Sequence, residues 1–421
     1  MPVIFFSVIF YTLALMTIFV QPRKYRFNGN NKELPFVTIQ LPVYNDPVVV
    51  RCIKSCLKFD YPKNRYEILV ADDSTDKKTK RIIDEFSRNF YRKVSSKEHS
   101  DVKVFRRDSR KGFKPGALNN LLNHSRGEII VIFDSDFTPK KNFLKRIIQP
   151  FLEDKNVACV QSRMGYLNSH QNRITKLAST FLMMYHNCII PINDKLGVVF
   201  FCGTGGAIRK DVLIKLGGWN ERSITEDSDL SIKMFRAGYK NVYLADLRAS
   251  GELPFTLKSF IRQQMRWAYG NTRVFIENAK DIWLSKTFSF RQRLMMTFVT
   301  TGNLACFFVV MMTFFGLLSW ITGTSHPVSN YDARRFVFTF IATGGFLSLA
   351  FIGMVREKKL NLMWSFFVSS LTIGLVVALT NAIAVMEAML GKKRGWFRTP
   401  KYGSISVLKL FDSYLKRLVN D

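Results

Sequence analysis

Residues 2–20 carry no charged side chain at all. Wound as a helix, a run of that length spans about 28 Å, close to the thickness of a bilayer's hydrocarbon core. Three further apolar stretches follow late in the chain, at 294–321, 336–355 and 360–390. A cleavable signal peptide would need a basic segment before the first run and a small-residue site after it. Neither is present. The chain therefore reads as a polar folding unit held between membrane helices: a multi-pass integral protein of the plasma membrane or an endomembrane.

Charge supports that reading. The net charge is +30, and basic residues cluster beside the apolar runs, at Arg23, Lys24 and Arg26, at Arg291 and Arg293, at Arg356, Lys358 and Lys359, and at Lys392, Lys393 and Arg394. Flanking lysine and arginine mark the cytosolic side of a membrane protein and attract anionic headgroups. Nucleic acid is excluded as the partner, because no nucleic-acid motif accompanies the charge. The six cysteines have no paired zinc spacing, and Cys52 and Cys56 alone are close in sequence, so buried thiols in a reducing cytosol are expected.

Between the apolar runs, short β-branched segments at 36–41, 66–71, 102–105, 129–134 and 157–161 alternate with helical patterns at 48–58, 76–94, 115–124 and 142–153. That alternation predicts an α/β unit with a mostly parallel sheet. Ligands of such sheets bind beyond the carboxyl ends of the strands. Three predicted strand ends are polar: Pro42-Val43-Tyr44-Asn45-Asp46, Asp72-Asp73-Ser74-Thr75-Asp76 and Asp134-Ser135-Asp136. All three are expected around one cleft. The expected organisation is a first span at 1–21, the α/β domain at 22–254, amphipathic interfacial helices at 255–293, a transmembrane or re-entrant region at 294–390, and a cytosolic segment at 391–421.

Each polar motif has a chemical reading and a plainer one. If the chain stays extended through Asp134-Ser135-Asp136, both carboxylates share one side and can hold Mg²⁺ or Mn²⁺ with a nucleotide diphosphate; the plainer reading is a solvated turn. Asp72 or Asp73 could accept hydrogen bonds from a nucleotide's base or ribose, or simply build an Asp/Ser/Thr turn. Lys111 and Lys114 open a predicted helix, where amides and a lysine favour a phosphate; otherwise they are surface lysines. Gly203-Thr204-Gly205 lets backbone approach a ligand closely, or just turns tightly. Thr225 is a plausible helix cap for Glu226 and Asp227, and a first-turn carboxylate facing a cleft is also a good base. Gln263, Arg266 and Trp267 share one helix face, suited to a sugar ring or to membrane anchoring.

Together, DDSTD, DSD, TED and QQMRW, in that order and spacing, resemble the D, D, D, Q-x-x-R-W series of glycosyltransferase family 2. FCGTGGAIRK, GGW and TEDSDL most resemble its cellulose synthase and mannan synthase-like branch. The resemblance implies a GT-A fold, an inverting reaction and a divalent ion. It implies Asp73 or Asp72 at a uridine-like moiety, Asp134 and Asp136 at the metal-diphosphate, and Asp227 as base beside Glu226. Pro42, Tyr44, Asp46, Lys114, Ser135, Gln263 and Arg266 join the nucleotide-sugar site. Gly203, Thr204 and Gly205 would face the acceptor, with Gln263, Arg266 and Trp267 beneath it.

The chain departs from cellulose synthases in showing fewer spans and no appended regulatory domain, and Gln161-Ser162-Arg163-Met164 lacks the Trp of a familiar Q-x-R-W stretch. Trp396-Phe397-Arg398-Thr399-Pro400-Lys401 resembles a gating loop over bound nucleotide, with Thr399 and Lys401 in register. Three full spans after the catalytic unit would strand that loop outside, so 360–390 is expected to be partly re-entrant or in-plane, with residues 381–387 at the cytosolic surface. The expected activity is hexose transfer, with UDP-glucose ahead of GDP-mannose, onto a growing β-linked polysaccharide. Single-sugar addition to a membrane lipid, in the manner of ceramide glucosyltransferase, is the alternative. A catalytically silent nucleotide-binding scaffold is the remote one. Homo-oligomerisation would be one way to supply further spans.

Overall fold

The computed structural model describes residues 2–23, 34–93, 101–323, 337, 339 and 341–395. Eight strands form one sheet in the order β3-β2-β1-β4-β7-β6-β8-β5. They are β1 (Val37–Val43), β2 (Tyr66–Asp72), β3 (Asp101–Phe105), β4 (Ile129–Ile132), β5 (Thr138–Pro139), β6 (Val157–Tyr166), β7 (Gly206–Arg209) and β8 (Lys240–Gly251). β1 is parallel to both β2 and β4, and β2 to β3. β7 runs antiparallel between β4 and β6, after which β6 and β8 are again parallel. The α/β expectation holds.

The sheet is apolar on both faces because helices cover both. Ile129, Val131 and Phe133 point into a core with Val49, Cys52 and Ile53 of the helix Val49–Cys56. Ile130 and Ile132 point the other way, toward Leu118, Ile208 and Trp219. Strands covered on both sides read as unbroken apolar runs. The predicted helix at 142–153 is instead two short helices, Phe143–Ile147 and Gln149–Glu153; Pro150 cannot donate into a continuous ladder. All six cysteines are free thiols, four of them buried.

A second core joins this unit to the apolar helices. Leu13, Leu177, Met184, Phe260, Met296, Leu349 and Phe366 belong to one buried cluster. The helices Pro2–Phe19 and Leu304–Ile321 are each 18 residues long, with mean hydropathy 2.2 and 2.3, long and apolar enough to cross a membrane. The expected stretch 294–321 is not one helix. Phe290–Thr301 ends at Gly302 and buries Met295 and Met296, while Leu304–Ile321 buries none of its side chains. Part of that run's hydrophobicity therefore serves packing, not a span.

Beyond the helix Gly345–Glu357, the chain forms a pair bent by 55°, Leu360–Leu371 and Ile373–Met389. Both ends meet the sheet-bearing unit: Lys359 Nζ lies 3.4 Å from His170 Nε2, and the Tyr269 hydroxyl donates to the Lys392 carbonyl at 2.7 Å. Glu357 forms ion pairs with Arg163 of β6 and Arg248 of β8. Arg163, from the stretch that lacks its Trp, thus ties sheet to apolar helix.

Candidate active site

The carboxyl ends of β1, β2 and β4 lie side by side and are laced together. Ser135 Oγ donates to Asp46 at 2.6 Å, the Asn45 amide donates to Ser74 Oγ at 2.9 Å, and Asn45 Oδ1 accepts from the amides of Thr75 and Asp76. Asp134 does not continue the strand. The Phe137 amide returns to its carbonyl at 3.1 Å, closing a turn over 134–137. Strand alternation therefore does not put Asp134 and Asp136 on a common side, as expected from sequence. Asp134 faces the cleft, whereas Asp136 is buried and accepts from the Glu252 amide at 2.6 Å.

One cavity at this edge gathers Lys114, Asp134, Gly203, Thr204, Glu226, Asp227, Gln263, Arg266 and Trp267, far-separated positions that the sequence had singled out. Lys114 is its electrostatic centre. The ammonium lies 2.8 Å from Asp134 Oδ1, 2.9 Å from the Gly203 carbonyl and 3.9 Å from Glu226 Oε1. Burial pulls its pKa down, but Asp134, Glu226 and Asp227 outweigh that and hold it above the ordinary lysine value. Burial pushes Glu226 up to about 7 and Asp227 above the usual carboxylate range, with Lys114 the strongest opposing influence on both.

Backbone geometry explains how Asp227 reaches the cavity. Gly203 has φ +75°, and a Cβ there would sit 2.8 Å from Asp227 Oδ2. Only glycine leaves room for the carboxylate at that backbone conformation. Thr225 does not cap the helix Glu226–Arg236; its side chain makes no capping bond. It packs instead on Gly270, where a Cβ would come within 2.4 Å of Thr225 Cγ2. Thr204 Oγ1 accepts from the Asp134 amide at 2.9 Å, and the Gly205 amide bonds the Ile132 carbonyl at 2.8 Å, so the glycine turn braces β4.

The other strand ends form an arginine-clamped rim. Arg106 Nε donates to Asp72 at 2.8 Å, and Arg107 grips Asp73 through both oxygens at 3.0 and 2.5 Å. Arg110 lies 3.3 Å from the Tyr44 ring centroid. Pro42 sits within β1, paired with Ala71. Lys111 is exposed. Thr399 and Lys401 lie outside the described residues.

Sequence reasoning missed Arg106, Arg107 and Arg110, although the run Arg106-Arg107-Asp108-Ser109-Arg110-Lys111 directly after β3 was a visible signal. It also missed the use of Gln161. That side chain is fully buried; its Oε1 accepts from the Cys202 amide at 2.9 Å and its Nε2 donates to the Thr204 carbonyl at 3.1 Å. It holds the glycine turn in place. Nothing local in the sequence distinguishes such a brace from an ordinary strand glutamine.

Comparison with known proteins bears on this arrangement. Residues 129–386 match the family model "Glycosyl transferase family group 2", and residues 38–217 match "Glycosyl transferase family 2". Probable glucomannan 4-beta-mannosyltransferase 7 of Oryza sativa subsp. japonica is 32% identical over 272 residues, which are 63% of this chain and 46% of that protein. Glucomannan 4-beta-mannosyltransferase 7 of Arabidopsis thaliana is 28% identical over 389 residues, 89% of this chain and 66% of that one. The chain thus spans between about half and two thirds of these relatives' lengths. Among solved structures, the mannosyltransferase PcManGT of Pyrobaculum calidifontis, in complex with GDP-Man and Mn²⁺, superposes with a TM-score of 0.60 at 18% identity, covering 88% of this chain and 96% of that one. At that identity the likeness speaks to the fold, which is GT-A. Since the first family model alone covers more than half of the 421 residues, the chain belongs to glycosyltransferase family 2.

Proposed function

We propose that the chain transfers mannose from GDP-mannose, with inversion at the anomeric carbon, onto the hydroxyl end of a growing β-linked polysaccharide at the cytosolic membrane face. The observation that carries this is the single cavity in which Asp227, seated over Gly203, shares Lys114 with Asp134 and faces Gln263, Arg266 and Trp267. GDP-mannose replaces the UDP-glucose favoured on sequence. Both quoted relatives are mannosyltransferases by name, and the superposed structure holds GDP-Man.

In this reading Asp227 takes the proton of the acceptor hydroxyl as that oxygen attacks, and the raised pKa brings the base nearer working pH. Lys114 offsets charge gathering on the departing diphosphate. Trp267 offers an apolar face to the acceptor ring, with Gln263 and Arg266 for its hydroxyls. The arginine-clamped rim at Asp72 and Asp73 takes the nucleoside end. The donor set suits Mg²⁺ or Mn²⁺. Asp134 presents a hard oxygen to the cavity with Asp136 beside it in sequence, and no group of three metal-ligating side chains occurs among the described residues. Such ions bind through one or two carboxylates plus substrate phosphates. Bound there, the ion would stabilise negative charge on the diphosphate.

The contacts at both ends of the bent pair support an in-plane arrangement that keeps residues 390–395 on the catalytic side. The test of the function is a donor panel with the full chain in membranes. GDP-mannose with Mn²⁺ or Mg²⁺ should give a long product degraded by β-mannanase. Preference for UDP-glucose, or a single sugar recovered in the lipid extract, would overturn it.

A further inference from the structure

A second cavity, of about 390 Å³, lies among the apolar helices and shares no residue with the catalytic one. The two are nearly back to back. Leu182 and Gln263 line the catalytic cavity, while their neighbours Phe181, Met184 and Gln264 line this one. Its size falls in the roughly 300–1,000 Å³ range of small-molecule sites.

Its lining is graded. At the end nearest the sheet-bearing unit stand three amides, Gln264, Asn303 and Asn381. Asn303 immediately precedes the span Leu304–Ile321, and Asn381 lies about one helical turn before Ala384, which packs on Tyr269. Val309 is six residues, or about 9 Å, further along the span; with Phe6 and Leu375 it lines the deep end, where the hydroxyls of Ser7 and Thr343 are engaged by backbone and that of Ser370 stands beside Gly374. Among the described residues, no Asp, Glu, Lys or Arg lines the cavity.

The polar end has unmet bonding capacity. Asn381 is 3% exposed; its side chain bonds Cys306, but its Oδ1 has no partner among the described residues. A buried polar atom without a partner is unfavourable, and a ligand that bonds it removes the cost. An uncharged hydroxyl head would meet this need. A sugar chain would not be well served, since most of the lining would leave its hydroxyls unbonded.

We infer that this cavity binds one bilayer lipid with an uncharged, hydroxyl-bearing head, seated with that head at Gln264, Asn303 and Asn381 and its chain toward Val309 and Leu375. The occupant lies among the apolar helices under the one helix that carries Gln263 and Trp267, so it would act as part of that helix's support. The inference needs only that these helices lie in a membrane and does not depend on which sugar is transferred.

The test uses the full chain in lipid nanodiscs containing a photoreactive diacylglycerol, with labelled residues mapped by mass spectrometry. Label is expected in 302–309 and 374–381, and excess unlabelled dioleoylglycerol should compete it away. Gly374→Leu should lower it about tenfold. A Cβ at Gly374 meets only ordinary contacts of 3.5–3.6 Å, so a larger side chain has room to grow into the cavity. Leu317→Phe, on a residue 55% exposed, should leave it unchanged. Label spread evenly over the outer face of Leu304–Ile321, equal labelling by a photoreactive phosphatidylglycerol, or insensitivity to both Gly374→Leu and dioleoylglycerol would each overturn the inference. Displacement by β-1,4-mannohexaose but not by dioleoylglycerol would also overturn it, and would point to passage of polymer. Mannosyl transfer assayed on the same samples reports separately on the proposed function.

Discussion

The two halves of the cleft neutralise their acids in opposite ways. At the rim each strand-end carboxylate has a separate arginine: Asp72 has Arg106, which also reaches the exposed Asp84, and Asp73 has Arg107. In the cavity one ammonium, Lys114, serves Asp134, Glu226 and Asp227 together, helped by Arg266. Matched pairs of the first kind fix geometry. The second arrangement leaves more negative charge than local positive charge, at a depth where burial already disfavours ionisation, and so keeps protons exchangeable. The rim is built to hold; the cavity is built to react.

The largest expected effect follows from that contrast. Asp227→Asn removes the proposed base but keeps its shape, and turnover should fall about 10²–10⁴-fold while donor binding, read by calorimetry, stays near wild type. A variant retaining more than a tenth of the activity would sink the assignment. Gly203→Ala tests the same carboxylate from the backbone side. It forces a side chain onto a φ of +75° and against Asp227 Oδ2, so kcat should drop and Tm should fall with it.

Lys114→Met comes next. With the shared ammonium gone, three carboxylates face one another, and kcat should fall about 10²-fold, as for loss of one preorganised stabilising group. Its acid limb should also move to higher pH, because Lys114 is the strongest influence holding the Glu226 and Asp227 pKa values down. An unchanged pH profile would show that the cluster is not coupled through this lysine. At the rim, Asp73→Asn should act mainly on donor KM, raising it about tenfold, with kcat little changed. A kcat loss as large as that of Lys114→Met would erase the distinction between the two halves.

The same contrast marks what was legible in the sequence. Strand ends such as Asp72-Asp73 and Asp134 could be read because apolar runs buried on both faces stop abruptly at a polar cluster. Glu226, Asp227 and the Gln263-x-x-Arg266-Trp267 face were readable as a helix start and a helix stripe. What escaped was long-range. Nothing near Asp73 in the chain says that Arg107, 34 residues on, will clamp it, nor that Gln161 will brace a turn 41 residues away. The Asp134–Asp136 error was local in origin: a strand pattern cannot show that the backbone turns one residue after Phe133. The break at Gly302 was hidden for another reason, since hydropathy does not separate residues buried in protein from those facing lipid.

The smallest effect concerns stability, and its sign separates a holding acid from a reacting one. Burial raises Glu226 to about 7 in the folded chain against an ordinary 4.5. Between those two values the folded state keeps a proton that the unfolded state has lost, so stability falls as pH rises through the window and levels off above about 7. Glu226→Gln removes that titration. Its Tm should exceed wild type at pH 8 and match it more nearly at pH 4.5, the gap opening across the interval between. Thermal melts of both proteins across that range measure it. An acid clamped by an arginine, as Asp73 is by Arg107, has no such reason to gain stability when neutralised; there, loss of the charge leaves a mostly buried guanidinium without its partner. A Glu226→Gln variant less stable than wild type at pH 8 would therefore move Glu226 to the holding class and leave Asp227 alone as the proton-exchanging group of the cavity.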